Sequence, residues 1–428
     1  MKFIHAADLH IDSPMRGLNS YDGAPVELLR GATRRALTGL VELALREKVD
    51  LVLLAGDIFD RDLGDFSAAL FFRQQMARLT TADIRVFVVK GNHDAEGQIS
   101  KRLPDLPGMH FFSARAAEVI DLPALGVAVH GKSFPERVVL DDLVPSYHDA
   151  VPGRFNIGML HTSLTGRPGH DPYAPTTIEA LASKNYDYFA LGHIHQREVV
   201  RDAHPRIVFP GNLQGRHVNE TGSKGCELVT VEGGAITSAE HISLDVVRWH
   251  HLMLDLGGLN DLTALATRFQ QTCRAATENQ PEHLHAMRVT VHGESALAAL
   301  EARDPGSLAV AIQVATQEFE GAQVWIESVK LALRLPIDRL AAAQRPDAVG
   351  EVIRLVDELL ADEAALQAWA LENIDRLPGL PAELADMAMD KQTAADLKVF
   401  LADAEATVLS TLTTASSFSP SPSGRGLG

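Results

Sequence analysis

Apolar runs that stop abruptly at a glycine or a polar cluster recur through the first 200 residues of this chain. Residues 2–7 read as a first strand and end in Asp8-Leu9-His10-Ile11-Asp12-Ser13-Pro14. Residues 28–48 then carry Leu29, Ala32, Ala36, Leu40, Leu43 and Ala44 at helical spacing, the pattern of a crossover helix. The next run, 51–55, is β-prone without a polar residue, as in a strand covered on both faces of a parallel sheet, and Gly56-Asp57 closes it. The chain therefore opens with a βαβ unit. A second helix is predicted over 67–79, and a third buried strand over 85–89 runs into Gly91-Asn92-His93-Asp94.

Short β-like runs at 119–120 and 127–130 suggest a second sheet, and residues 155–160 form another strand, ending in His161-Thr162-Ser163. A short helix over 176–182 precedes a strand over 186–191 that Gly192-His193-Ile194-His195 terminates. The segment 210–225 is rich in Gly, Asn and Arg. It reads either as a solvated hairpin or as a phosphate-contacting loop presenting Arg216, His217 and Lys224. Strands over 246–254, 287–291 and 323–329 alternate with helices over 262–273 and 307–317, an α+β arrangement without a chemistry-bearing cluster. His283, His285 and His292 lie there with no carboxylate or cysteine at ligand spacing, so they read as structural or exposed. Amphipathic helices over 355–369 and 394–409 follow, with Pro378 and Pro381 breaking the chain between them. Residues 416–428 are Ser, Pro and Gly rich and predict disorder. The domain reading is 1–245, 246–332, 333–410 and a disordered tail over 411–428.

Length and composition sharpen this picture. At 428 residues the chain exceeds one compact core, and 46% hydrophobic with 22% charged residues is ordinary soluble material. The N-terminus lacks the regions of a secretory signal, and no apolar run approaches the roughly 18 residues of a membrane helix. Two isolated cysteines, Cys226 and Cys273, fit a reducing cytoplasm rather than a disulfide framework. A net charge of -17 argues against coating nucleic acid by bulk electrostatics. The acid is uneven, however: residues 331–410 hold 15 Asp plus Glu against 7 Lys plus Arg, so the front of the chain is less hostile to a polyanion.

The candidate chemistry collects at strand ends: Asp8, His10, Asp57, Asn92, His161, His193 and His195. An Asp and a His two apart can point the same way, and mixed nitrogen and oxygen donors suit Mn²⁺, Fe²⁺ or Zn²⁺ better than Ca²⁺. The order Asp-x-His, Gly-Asp, Gly-Asn-His-Asp, His, Gly-His-x-His resembles the calcineurin-like metallophosphoesterase superfamily. Within it, residues 3–14, 56–60 and 210–217 look most like the SbcD-type DNA repair nucleases of the YhaO-like branch. The resemblance implies an α/β fold, a metallophosphoesterase β-sandwich flanked by helices, followed by a small α+β capping domain and a helical C-terminal region. It implies two divalent ions, Mn²⁺ first with Fe²⁺ or Zn²⁺ as alternatives. Asp8, His10, Asp57 and His195 would hold one, and Asp57, Asn92, His161 and His193 the other. His93 is implied as a catalytic residue at the leaving oxygen, oriented by Asp60, which lies one turn beyond Asp57, while Asp94 ties down its loop. Arg216 and His217 would contact substrate. The implied reaction is DNA phosphodiester hydrolysis, exonuclease or endonuclease, by hydroxide held between the ions. The alternative is a small nucleotide or phosphomonoester substrate. The implied partners are DNA ends or single strands, with an SMC-like coiled-coil ATPase and a homodimer left open.

Overall fold

The structure, a computed structural model, describes residues 1–13, 25–60, 66–95, 105–165, 173–373 and 394–416. Pro14, Pro378, Pro381 and the Ser/Pro/Gly-rich stretch from 417 onward lie outside the described residues. The described chain falls into two compact units. The first holds Met1–His250 with Gln280–Met287 and Ala322–Trp325, and the second holds His251–Asn279, Arg288–Gly321 and the described residues from Ile326 onward.

In the first unit the opening βαβ pattern becomes β1 (Lys2–Ala6), α1 (Val26–Arg30), α2 (Ala32–Glu47), β2 (Leu51–Ala55), α3 (Ser67–Thr81) and β3 (Arg85–Val89). The crossover expected as one helix is interrupted at Gly31. Then come β4 (Met109–Phe111), β5 (Glu118–Leu122), β6 (Val127–Gly131), β7 (Phe155–His161), α4 (Ile178–Ala182), β8 (Tyr188–Gly192), β9 (Glu198–Asp202), β10 (Arg206–Phe209), β11 (Gly225–Glu232) and β12 (Ala235–Ser243). One six-stranded sheet has the order β12-β11-β1-β2-β3-β4 and the other β5-β6-β7-β8-β10-β9. β1 to β4 run parallel, as do β6, β7, β8 and β10. All these strands therefore deliver their carboxyl ends to one edge of their sheet, where α/β proteins place their sites. The β11–β12 hairpin was not expected. Its turn is Gly233-Gly234, both at positive φ (58° and 81°), the chemistry of a tight hairpin joining two twisted strands.

Alternation along the buried strands builds a sandwich. Phe3, Leu51, Leu53, Phe87 and Val89 pack against Val129, Ile157, Tyr188 and Val208 of the facing sheet. The opposite side chains of the same strands, Ile4, Val52, Leu54, Val86 and Val88, pack under Leu37, Leu40, Val41, Phe72 and Met76 of α2 and α3. Every side chain of β2 is buried, which explains its run without polar residues. Truncating one of its leucines to Ala costs about 2–5 kcal/mol.

In the later part of the chain, β13 (Val247–Asp255), α5 (Leu262–Thr277), β14 (Leu284–Glu294), α6 (Leu297–Arg303), α7 (Ser307–Gln317) and β15 (Gln323–Arg334) precede a helical run. The strands form one sheet in the order β13-β14-β15. The helical run comprises α8 (Arg339–Ala343), α9 (Ala348–Ala361), α10 (Glu363–Asn373) and α11 (Ala394–Ser416). The single helix expected over 355–369 is two helices. Asp362 Oδ1 accepts from Ala364 N (2.9 Å) and Ala365 N (3.2 Å), a cap that starts α10 where α9 stops. His285, buried, accepts from or donates to His250 (2.8 Å between Nδ1 and Nε2) and donates from Nε2 to Gln280 O (2.9 Å).

Candidate metal centre

Loops leaving adjacent parallel strands stay adjacent. Asp8 N donates to Gly56 O, His10 N to Asp57 O and Ile11 N to Ile58 O, each at 3.0 Å, so the loops after β1 and β2 run side by side. Asp8, His10, Asp57 and His193 all lie at positive φ (52°, 42°, 52° and 102°), a conformation uncommon for side-chain-bearing residues and concentrated here on site residues. Close packing leaves no room for a side chain at Gly192: a Cβ there would meet Ala55 O at 1.9 Å.

The strand ends bring every predicted ligand to one edge. Asp8, His10 and His195 offer donor atoms within 4.8 Å of one another, and so do Asp57, His161 and His193. Asp57 Oδ2 lies 3.5 Å from His161 Nε2 and 3.9 Å from His10 Nε2, facing a member of each group. Asn92 Oδ1 is 3.0 Å from His161 Nε2. All seven residues gather there, and Asp8, His10, Asp57, Asn92 and His161 are buried.

The donor set fits cations. His10 Nδ1 donates to Asp60 Oδ1 (2.7 Å), His195 Nδ1 to Glu220 Oε1 (2.7 Å) and His161 Nδ1 to Ala55 O (2.9 Å). Each bond occupies Nδ1 and turns Nε2 towards the site, the usual outer arrangement of metal-binding histidines. The Nε2 atoms of His10 and His195 then face each other at 3.2 Å, whereas the protonated Nε2 of His161 donates to Asn92 Oδ1 at 3.0 Å, a position a cation would take over from that proton. Facing lone pairs repel unless a positive charge sits among them. Protonation responds to the same field. Burial would lower His161, but Asp57 and Asp8 hold it up at about 9. Burial and Arg216 push His10 down to about 4. Burial opposes the charge on Asp57, yet His161, His10 and His93 hold its carboxyl well below the carboxylate range. Burial pushes Asp8 up to about 6 against the pull of His195 and His161.

Asp60 Oδ1 also lies 3.0 Å from His93 Nδ1, so one carboxylate oxygen serves both His93 and His10. Burial lowers His93, but the Asp60 hydrogen bond and the charge of Asp57 raise it above the usual imidazole value. Asp94 accepts from Ile58 N and Phe59 N (3.0 Å each) and from Gly91 N (3.3 Å), tying the two glycine loops together.

Segment 210–225 packs against the site. Asn212, Gln214 and Glu220 are buried, and Arg216 sits with Nη2 3.2 Å from Glu220 Oε1 and Nη1 3.6 Å from Asp60 Oδ2. His217 is more exposed, its Nε2 3.4 Å from Glu220 Oε1. Glu220 is the residue that sequence reasoning missed. His195 and Arg216 hold its carboxyl well below the usual range against its burial. Its presence in a loop already singled out was the available signal, but no spacing connects it with His195. Tyr173 was missed too: its ring meets that of His193 edge-on, with centroids 5.4 Å apart. A cleft of about 690 Å³ lies over the site, lined by Asp57, Asn92, His93, His193, His195 and Arg216 among others.

Two nitrogen and oxygen ligand groups facing one shared carboxylate, set at the carboxyl ends of a two-sheet α/β sandwich, define a dinuclear metal-dependent phosphoesterase. The chain belongs to the calcineurin-like phosphoesterase family, which matches residues 1–197, and residues 249–334 match the middle domain of metallophosphoesterase YhaO. It is 36% identical over 275 residues to the uncharacterized metallophosphoesterase YhaO of Bacillus subtilis (strain 168), covering 64% of this chain and 67% of that protein. It is 28% identical over 276 residues to the DNA double-strand break repair protein Mre11 of Aeropyrum pernix, covering 60% of this chain and 64% of that one. The Mre11 of Methanocaldococcus jannaschii is 24% identical over 262 residues, covering 58% and 67%. The alignments thus span about two thirds of these relatives. Among the described residues no helix is long and apolar enough to cross a membrane.

Proposed function

We propose that this enzyme is a Mn²⁺-dependent phosphodiesterase that hydrolyses DNA, as an exonuclease or endonuclease in DNA repair. The observation that carries the reading is the cleft: at about 690 Å³ it exceeds what one phosphate fills, and its lining is polar and partly cationic rather than apolar. Relatives named as DNA double-strand break repair proteins support the same substrate. Bound divalent ions supply Lewis-acid polarisation of the phosphoryl oxygens and a hydroxide source near neutral pH. Asp8, His10, Asp57 and His195 would hold one ion, and Asp57, Asn92, His161 and His193 the other. Asp60 fixes Nδ1 of His93, leaving Nε2 to carry the proton that the leaving oxygen takes up, and the raised pKa of His93 keeps that proton available.

DNA ends or single strands are then the macromolecular partner. A coiled-coil ATPase docking through the C-terminal helices, a homodimer and a cytoplasmic location complete the proposal. The net charge of -17 favours a second reading, a small nucleotide or phosphomonoester substrate at the same metals. Labelled linear duplex and single strands incubated with Mn²⁺, beside a colorimetric monoester, separate the two. We expect strand cleavage; turnover of the monoester alone would eliminate the nuclease.

A further inference from the structure

The cations lining the cleft are not equivalent. Arg216 faces Glu220, Asp60 and Ser13 Oγ (3.4 Å). Lys224, buried, donates from Nζ to His195 O at 2.8 Å, and His217 faces Glu220 at 3.4 Å. Each of these side chains is answered by an oxygen of the protein. Arg137 lines the same cleft, is exposed, and forms no ion pair or hydrogen bond among the described residues.

Its loop is nonetheless fixed. Phe134 N donates to Lys90 O (3.0 Å) and Ser133 N to Ser113 O (3.0 Å), while on the other side Val139 O accepts from Ala174 N (2.6 Å). The Phe134 ring meets the His161 imidazole edge-on at 5.4 Å, and Val139 is buried in the same apolar cluster as Tyr173 and Ala174. Arg137 thus stands on a short span pinned at both ends, one end against a metal-site histidine. On either side of Val139 the aliphatic side chains of Val138 and Leu140 are exposed, 49% and 65%. An unanswered guanidinium beside exposed aliphatic groups, at the rim of a site that handles one phosphate, suits a second phosphate separated from the first by one sugar, whose base the aliphatic groups can meet.

We propose that Arg137 is a specificity-determining residue that grips the phosphate flanking the scissile one, so that the site favours a polynucleotide or bisphosphate over a lone phosphomonoester. The inference rests on the phosphoesterase reading of the site and names what that site prefers.

Calorimetric titration of the full-length, Mn²⁺-loaded protein with deoxyadenosine 3′,5′-bisphosphate and with deoxyadenosine 5′-monophosphate tests it without requiring turnover. The bisphosphate should bind about tenfold tighter to the wild type, a ratio lost in Arg137→Ala and partly restored in Arg137→Lys. For a single-stranded oligonucleotide, Arg137→Ala should raise KM about tenfold and reduce the log–log salt dependence of binding by about one. An exposed, unpaired arginine contributes little to folding, and a melting curve of each variant confirms this. Equal binding of the two nucleotides by the wild type, or an undiminished ratio in Arg137→Ala, would overturn the proposal. A wild type that discriminates the nucleotides but leaves every oligonucleotide intact would instead refute the nuclease reading while leaving Arg137 in its role.

Discussion

Replacing Glu220 by Gln tests whether the metal centre depends on the loop packed against it. Glu220 Oε1 accepts from His195 Nδ1 (2.7 Å) and Arg216 Nη2 (3.2 Å), and Oε2 accepts from Arg216 N (2.7 Å) and Asn212 Nδ2 (2.8 Å). All four partners are donors, so the amide NH₂ of Gln must confront two of them in either orientation. If it turns towards the loop, two buried donors lose their acceptor, at about 1–3 kcal/mol each. If it turns towards His195, the ring loses the carboxylate that keeps its proton on Nδ1, and a proton on Nε2 would block the ligand atom. Loss of such an outer partner typically weakens metal binding 10–100-fold, or about 1.4–2.7 kcal/mol. Titration of chelator-treated protein with Mn²⁺ in a calorimeter should show that loss at the position built from Asp8, His10 and His195. The position built from Asp57, His161 and His193 should keep its affinity. Circular dichroism in the absence of metal checks that the variant is folded. Wild-type affinity at both positions in a folded Glu220→Gln protein would refute the argument that Glu220 governs His195.

The other expectations follow from neighbouring contacts. Asp57→Asn removes charge from the carboxylate that faces both ligand groups, and should abolish paired Mn²⁺ binding as counted by metal analysis after gel filtration. His93→Ala should lower turnover of a diester by about 10²–10⁴ with metal content unchanged, and an undiminished rate would remove His93 from catalysis. Asp60→Asn should both slow turnover and weaken Mn²⁺ binding, because the same oxygen holds His93 and His10; weakened turnover at full metal affinity would show that the His10 contact is idle. Glu227, fully buried beside Arg197 (Nε to Oε1, 2.5 Å) and His241, reports on acid stability. Burial raises its pKa, but His241 and Arg197 bring it down from 4.5 to about 2. A group depressed in the folded state stabilises above its unfolded pKa and loses that contribution as pH falls through the folded one. Some 3 kcal/mol is therefore present at pH 7 and disappears between about 4.5 and 2. Glu227→Gln should melt lower than wild type at pH 7, with the gap narrowing below pH 4.5; a gap independent of pH would contradict the assignment.

The strand ends were legible in the sequence because the physics that creates them is local. A strand buried on both faces cannot carry polar side chains, so its end is marked by the first glycine or acid after the run, as at Gly56-Asp57. Parallel topology then sends those ends to one edge, which is why seven residues spread from Asp8 to His195 converge. Partners such as Glu220 were not legible, because what brings it to His195 is the burial of Asn212 and Gln214 in a loop that has no period. The β11–β12 hairpin was missed for a different reason. Its Gly-Gly turn was visible, but both strands alternate with polar and charged residues and lack the uninterrupted apolar run that marked the others.

Asp60 shows where the two kinds of reasoning meet. The expected turn from Asp57 to Asp60 is not helical, since Phe59 pairs with Ile11, yet the local argument still leads to His93, whose Nδ1 lies 3.0 Å from Asp60. The contact with His10 is closer, 2.7 Å, and spans fifty residues of chain. It follows from register. β1 and β2 pair in parallel with Phe3 opposite Leu51, and the pairing continues beyond the strands to an isolated bridge between Ile11 and Phe59. His10 and Asp60 flank that bridge, so the register that aligns Phe3 with Leu51 also presents the carboxylate to the imidazole. Nothing in the spacing of either motif fixes that register; the apolar faces of the two strands do, since a slip of one residue would turn Leu53 away from the sandwich interior. The partner of a candidate metal-site histidine is thus specified by core packing several residues away.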